Sequence, residues 1–242
     1  MTRNRTCSLA LVLAPVLLPV SASALLIDDF ESGDFSITDT TPAANPPPSD
    51  FQGGLSGVHA GSRESFANLS NGSSLTASVS GGALTISAPT GSGGYFRTWW
   101  DGTANDLYDP VGAYSIDLTE GGTIDRFALD VLAVTGTVEL YIGVSSPGSG
   151  GGTTIEHFTV STPGVVELLF ADYSASADFT DVDTIVIQAN GPAGIGSGDS
   201  VTLESLSTIP EPGTALLLGL GLAGLARRTR RETDGGLVRR GR

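Results

Sequence analysis

Residues 74–88, SLTASVSGGALTISA, contain the pattern that decides the fold. Small or apolar side chains alternate with Ser and Thr on both sides of Gly81-Gly82, which is typical of two half-buried antiparallel strands joined by a tight turn. Outward from this hairpin, residues 25–207 show no helical period, and short apolar or alternating runs recur between Gly, Pro, Asn and Ser. We therefore predict an all-β domain over 25–207, an antiparallel two-sheet β-sandwich of the jelly-roll type.

The strands of this sandwich are predicted from the individual runs. They are Leu25–Phe30, Ser74–Ser80, Ala83–Ala88, Gly94–Trp100, Ala113–Leu118, Asp125–Val134, Thr137–Val144, Thr154–Val160, Val165–Phe170, Thr184–Ala189 and Ser200–Leu206. Residues 38–61 lack periodicity and contain Pro42 and Pro46–Pro48, so we expect a long Pro- and Gly-rich surface loop there.

Charge is distributed unevenly along the chain. The whole sequence has 12 basic and 26 acidic residues, and residues 25–212 hold three Arg against 24 Asp and Glu, a net charge of −21. An acidic body of this kind repels phosphates, which argues against a nucleic-acid partner. The single Cys, Cys7, excludes a disulfide framework and a Cys-ligated zinc site.

The first 24 residues have the layout of a signal peptide. Arg3 and Arg5 precede an apolar run over 9–20, and Ala22-Ser23-Ala24 gives the small-x-small pattern of a cleavage site. We expect signal peptidase to cut after Ala24, because the apolar run is short for a membrane span. A retained N-terminal anchor is the alternative.

The other end combines three features in order. Pro210-Glu211-Pro212 is followed by an apolar stretch over 213–226 and then by an Arg-rich segment that begins with Arg227 and Arg228. A helix over 213–226 would be about 21 Å long, against about 30 Å for a bilayer core. The Arg cluster fixes the cytoplasmic side, which leaves the acidic body across the membrane. We predict a short transmembrane helix and a cytoplasmic tail over 232–242.

Residues 208–231 closely resemble the PEP-CTERM sorting signal of exopolysaccharide-producing Gram-negative bacteria. The resemblance implies that an exosortase of the inner membrane recognises Pro210, Glu211 and Pro212 and cuts there, so that the inner membrane holds the chain only transiently. The exported body would then lie in the cell envelope, on the outer surface or in the extracellular matrix. A permanent tail anchor is the alternative.

The body shows a second resemblance. Residues 27–33, IDDFESG, resemble the first strand of galactose-binding-like jelly rolls, which include many carbohydrate-binding modules, and residues 182–187 and 201–206 resemble their last two strands. Such folds often hold a structural Ca²⁺ near the first and last strands. Asp28, Asp29, Glu31 and Asp34 crowd the end of the first strand, and carboxylate oxygens suit Ca²⁺. We therefore predict Asp28 and Glu31 as calcium ligands, to which the resemblance adds Asp199 or Glu204, and a solvated acidic rim is the alternative.

The densest aromatic stretch is Tyr95–Trp100. On a strand Trp99 and Trp100 point to opposite faces, so one belongs to the core and the other can stack on a sugar ring. Both are our candidates for ligand binding.

Nothing in the sequence points to catalysis. The chain offers only His59 and His157 as bases for a nucleophile, and no Gly-x-Ser-x-Gly elbow precedes a helix. No regular Thr-x-Thr array supports ice binding, although tails of this type also go under the name of ice-binding proteins. We expect a non-catalytic envelope or exopolysaccharide-matrix protein. The alternatives are a carbohydrate-binding module for the matrix polysaccharide and, third, a secreted glycan hydrolase.

Overall fold

Two antiparallel sheets make up the computed structural model, which describes residues 24–102, 115–146, 153–174, 176–189 and 198–210. In chain order the strands are β1 Leu25–Asp28, β2 Phe35–Asp39, β3 Ser49–Gly53, β4 Ser62–Asn71, β5 Leu75–Val79, β6 Leu84–Ser87, β7 Gly93–Trp100, β8 Ile124–Thr135, β9 Val138–Ser145, β10 Thr153–Val160, β11 Gly164–Leu169, β12 Thr184–Ala189 and β13 Ser200–Pro210. No helix that could span a membrane occurs within those ranges.

The first sheet is ordered β11-β8-β13-β6-β5-β2, and β1 also pairs with β13. Strand β13 lies in the middle of this sheet, and β8 pairs with it along its whole length. On its other side β6 pairs with residues 200–203 and β1 with residues 206–208. The chain therefore enters and leaves the described domain on neighbouring strands.

The second sheet is ordered β10-β9-β12-β7-β4-β3. Alternate side chains of both sheets point inward and form one apolar core, in which Phe96, Trp100, Phe127 and Leu203 are fully buried. The Ser74–Ala88 pattern behaves as predicted, since Leu75, Ala77 and Val79 are buried on β5 while the residues between them are partly exposed.

The two-sheet antiparallel sandwich predicted from the sequence is confirmed. Three strands were missed, β2, β3 and β4, and the expected long loop over 38–61 is wrong in part because it contains β3. Within the described ranges β3 pairs with β4 alone and so forms an edge, which is where a strand of low apolar content is tolerated. Of the predicted strand Ala113–Leu118, the described part shows one isolated bridge, between Ile116 and Val182.

The predictions for the two chain ends lie outside the described residues. These are the signal peptide up to residue 23, the remainder of the Pro-Glu-Pro motif after Pro210, the helix over 213–226, Arg227, Arg228 and the tail over 232–242.

Candidate functional site: the aromatic face of the second sheet

A row of side chains crosses the outer face of the second sheet. Direct register partners link one residue from each of its six strands, in the order Ser49, Phe66, Arg97, Gln188, Tyr141 and His157. At about 4.8 Å between strands the row is about 24 Å long. We call the part of this face formed by Phe66, Tyr95, Arg97, Trp99, Tyr141 and Gln188 the aromatic face.

Strand β7 supplies the centre of the aromatic face through strict alternation. Phe96 and Trp100 point into the core, whereas Tyr95, Arg97 and Trp99 point outward and are half-buried. The period of two along a strand thus puts two aromatic rings and one guanidinium on one surface.

Arg97 is held from two sides. Its guanidinium carbon lies 5.8 Å from the ring centres of Phe66 and Tyr95 and 5.5 Å from that of Trp99. Phe66 in turn packs at 5.1 Å on Trp99 and edge-on at 5.5 Å on Tyr95. Cation–π contacts of this kind stabilise a planar cation against rings and fix its orientation.

Polar contacts orient the same guanidinium along the row. Arg97 Nε donates to Gln188 Oε1 at 2.5 Å, and Nη2 donates to the Tyr141 hydroxyl at 2.8 Å. The Tyr141 hydroxyl also donates to Gln188 Oε1. Burial raises the pKa of Tyr141 although Arg97 opposes the shift, so this hydroxyl stays protonated at neutral pH. Phe66, Tyr141 and Gln188 are themselves buried, so the aromatic face exposes parts of Tyr95, Arg97 and Trp99, which a buried ring and buried polar groups hold in place.

The two tryptophans occupy opposite faces, as their neighbouring positions predict. Trp99 is half-buried on the aromatic face, and Trp100 is fully buried in the core. Trp100 Nε1 donates to Asp28 Oδ2 at 2.8 Å. The prediction of Trp100 as a ligand-binding residue is therefore wrong, because Trp100 is a core residue. Trp99 remains a candidate for ligand binding.

Asp28 belongs to a buried ion pair. Its Oδ2 accepts from Arg63 Nη1 at 2.7 Å, and its Oδ1 accepts from the Phe30 amide at 2.8 Å. Both Asp28 and Arg63 are essentially fully buried. Burial raises the pKa of Asp28, and Arg63, Phe30 and Trp100 each oppose that shift. Every oxygen of this carboxylate is thus bound by protein donors.

The predicted calcium ligands do not come together. Glu31 lies beside Gly82 in the β5–β6 turn, and Asp199 lies beside Gly136 in the β8–β9 turn. Asp28 pairs with Leu206, so about seven residues of β13, roughly 23 Å, separate it from Asp199. Among the described residues no group of three His, Cys, Asp or Glu is placed to hold a metal ion. The expectation of one site from Asp28, Glu31 and Asp199 is corrected accordingly.

The processing residues divide between described and undescribed parts. Ala24 immediately precedes β1 and Pro210 ends β13, whereas Ala22, Glu211 and Pro212 lie outside the described residues.

Residues 208–231 match the model of the PEP-CTERM protein-sorting motif. The chain carries a PEP-CTERM sorting motif at its C-terminus. This motif implies processing by an exosortase, and proteins that bear it are exported and sorted to the cell surface.

Comparison with solved structures finds carbohydrate-binding domains among the similar folds. The family 11 carbohydrate-binding module of cellulosomal cellulase Lic26A-Cel5E of Clostridium thermocellum is 14% identical, with a TM-score of 0.38, over 79% of this chain and 96% of that one. A mutant of a family 29 carbohydrate-binding module is 16% identical, with a TM-score of 0.33, over 66% and 84%. An exo-β-agarase is 11% identical, with a TM-score of 0.40, over 78% and 25%. Identities this low, with TM-scores below 0.5, say nothing about which ligand this chain binds. No curated protein matches the chain.

Sequence reasoning found Trp99 but missed the rest of the aromatic face. The outward spacing of Tyr95, Arg97 and Trp99 was available as a signal, because residues two apart share a face. Phe66, Tyr141 and Gln188 come from three other strands. Only the strand order, which no local pattern contains, brings them to β7.

Proposed function

We propose that this protein is an exported, exosortase-sorted glycan-binding protein that acts in the cell envelope or extracellular matrix by binding and not by catalysis. One observation carries the proposal: the aromatic face places the half-buried Trp99 and Tyr95 beside Arg97, whose guanidinium is oriented by Gln188 and Tyr141.

This combination suits a sugar polymer. The hydrophobic C–H face of a sugar ring packs on an aromatic ring, while its hydroxyls need oriented donors and acceptors. Tyr95, Arg97 and Trp99 alternate along β7 over about 13 Å, which gives a sugar polymer two rings and a guanidinium in a row.

The charge of the body narrows the class of glycan. Three basic residues face 24 acidic ones between residues 25 and 212, so the field around the body repels polyanions. Arg97 is the one arginine on the aromatic face, and it already packs on three rings. We therefore assign a neutral polysaccharide of the matrix as the ligand.

The placement of the histidines supports binding without catalysis. His59 lies in the turn before β4, near one edge of the second sheet, and His157 lies on β10 at the opposite edge. His157 Nδ1 lies 3.5 Å from Glu139 Oε1 and its side chain is half exposed. The two histidines thus lie near opposite edges of the second sheet, where they cannot act together on one substrate group.

Retention on immobilised polysaccharides tests the proposal. Trp99→Ala should weaken binding to a neutral glucan or galactan about tenfold, since it removes one stacking ring. The matched control is Leu132→Ala, which truncates a 46% exposed side chain on the first sheet and should leave binding unchanged.

Three results would argue against this function. Equal retention of the wild type and Trp99→Ala would exclude the aromatic face as the binding site. Binding of alginate-like polyanions in preference to neutral polymers would overturn the ligand class. Release of reducing ends from the polymer would indicate a hydrolase.

A further inference from the structure

The sorting motif and the folded sandwich share a residue. Pro210 is the first residue of Pro-Glu-Pro and also the last residue of β13, where it pairs with Ile124 of β8. Just before it, Thr208 lies between Phe127 of β8 and Leu25 of β1 and is fully buried. Pro-Glu-Pro therefore begins at the end of a strand that pairs with β8 as far as Pro210 and with β1 as far as Thr208.

This arrangement restricts access by a processing enzyme. An enzyme that holds its substrate as an extended peptide needs the main-chain groups of that peptide free to pair. The main chain on the N-terminal side of the motif is already paired within the first sheet. Cleavage of a folded segment proceeds through local opening, and its rate follows the population of the opened state.

We infer that removal of the C-terminal tail proceeds through local opening of the end of β13, residues 206–210, and that this strand end sets the rate of tail removal. The inference rests on processing at the sorting motif and is independent of glycan binding.

The strand end is built to open over a limited length. Thr208 Oγ1 is buried and has no hydrogen-bond partner among the described residues, which weakens the packing at this point. β1, which covers it, is four residues long and has an irregular register between Leu26 and Asp28. Asp28, which faces Leu206, is tied to Arg63 and Trp100. Opening from the end of β13 should therefore not extend beyond Leu206.

Pulse-labelled full-length protein in cells that carry the exosortase tests the inference. A Gly-Ser-Gly-Ser insertion between Ile209 and Pro210 separates the motif from β13 and should speed tail removal at least about fivefold. The same insertion between Pro212 and Gly213 leaves the motif joined to β13 and should leave the rate unchanged. Equal acceleration by both insertions, or by neither, would overturn the inference.

A point substitution should change the rate of tail removal in the opposite direction. Thr208→Val keeps the shape of the side chain and removes the buried hydroxyl, so it should slow tail removal about fivefold. Ser62→Ala is the control, because Ser62 Oγ on β4 is also buried without a partner among the described residues. It should leave the rate unchanged. A rate unaltered by Thr208→Val, with a raised melting temperature as evidence of a tighter fold, would overturn the inference.

A wild type that never loses its tail would overturn the inference together with exosortase processing. Retention on polysaccharide would still report on the aromatic face.

Discussion

At the scale of single residues, Arg63 connects the start of the domain to both sheets. Besides Asp28, its guanidinium donates to the carbonyl oxygens of Ser32 and Gly33 and to Gln52 Oε1. It also lies 5.5 Å and 5.4 Å from the ring centres of Phe30 and Phe35. One buried cation thereby fixes the segment between β1 and β2 against β3 and β4.

Removal of the carboxylate partner should be costly. Asp28→Ala leaves the guanidinium of Arg63 buried without its counter-ion, and we expect the free energy of unfolding to fall by about 3–5 kcal/mol. Urea denaturation of the purified protein measures this. Asp29→Ala is the matched control, since the Asp29 carboxylate accepts the Glu31 amide in an exposed turn and has no ion pair among the described residues. A loss for Asp28→Ala no larger than that for Asp29→Ala would show that the pair contributes little.

The sequence predicts only part of these residue roles. The opposite orientation of Trp99 and Trp100 follows from strand geometry alone, so it could be predicted before the structure. The partner of Asp28 could not, because Arg63 is 35 residues away and meets it only across the sandwich. An Asp near other acidic residues is typical of a surface position or a metal ligand. Only the structure shows that a buried cation pairs with it.

At the scale of elements, β4 shows why three strands escaped prediction. Its sequence, SRESFANLSN, has few apolar residues, yet it lies between β3 and β7 and most of it is buried. Its polar side chains are satisfied inside the fold, for example Ser65 Oγ, which bonds Thr98 Oγ1 at 2.9 Å. Hydrophobic periodicity finds strands that bury apolar faces, and it misses strands that bury ion pairs and hydroxyls. β13 has the apolar alternation and was found, although it extends four residues further than expected.

The contact between β4 and β7 depends on one glycine. A Cβ at Gly94 would lie 2.2 Å from the Asn68 carbonyl oxygen and 3.0 Å from Leu69 Cα, both of which belong to the backbone. Because neither strand can move without disturbing the core, Gly94→Ala should cost about 3 kcal/mol of unfolding free energy.

Denaturation against a second glycine variant separates this steric effect from a general effect of Gly→Ala. At Gly53 the nearest atom to an added Cβ is Phe51 Cε1, at 3.3 Å, which belongs to a side chain that can move. Gly53→Ala should therefore change stability by less than about 1 kcal/mol. A cost for Gly94→Ala below about 1 kcal/mol, as expected for Gly53→Ala, would mean that β4 and β7 can accommodate the added methyl group.

At the scale of the whole molecule, the start of the described domain and the start of the sorting motif lie on neighbouring strands. Leu25, the first residue after the predicted signal-peptide cleavage site, pairs with Thr208, which begins the matched sorting motif. The sorting motif could be recognised from its own local sequence, and the signal peptide stays a prediction. The pairing of residues 25 and 208 could not be predicted, since they meet only through the order of the first sheet.

This adjacency leads to a prediction for the exported protein. Because Leu25 and Thr208 are paired within one sheet, trimming from either end should stop where the sheet begins, and the mature chain should run from Leu25 to the neighbourhood of Pro212. Intact mass measurement on protein from the culture medium and from the membrane fraction tests this, with Pro210→Ala/Glu211→Ala/Pro212→Ala as the matched uncut control. The wild type should be found outside the cells without residues 216–242, and the triple variant should remain in the membrane fraction with its tail.

Wild-type protein that keeps residues 216–242 in the membrane would identify a permanent tail anchor. Mature protein that starts well after Leu25 would show that β1 is dispensable for the exported fold.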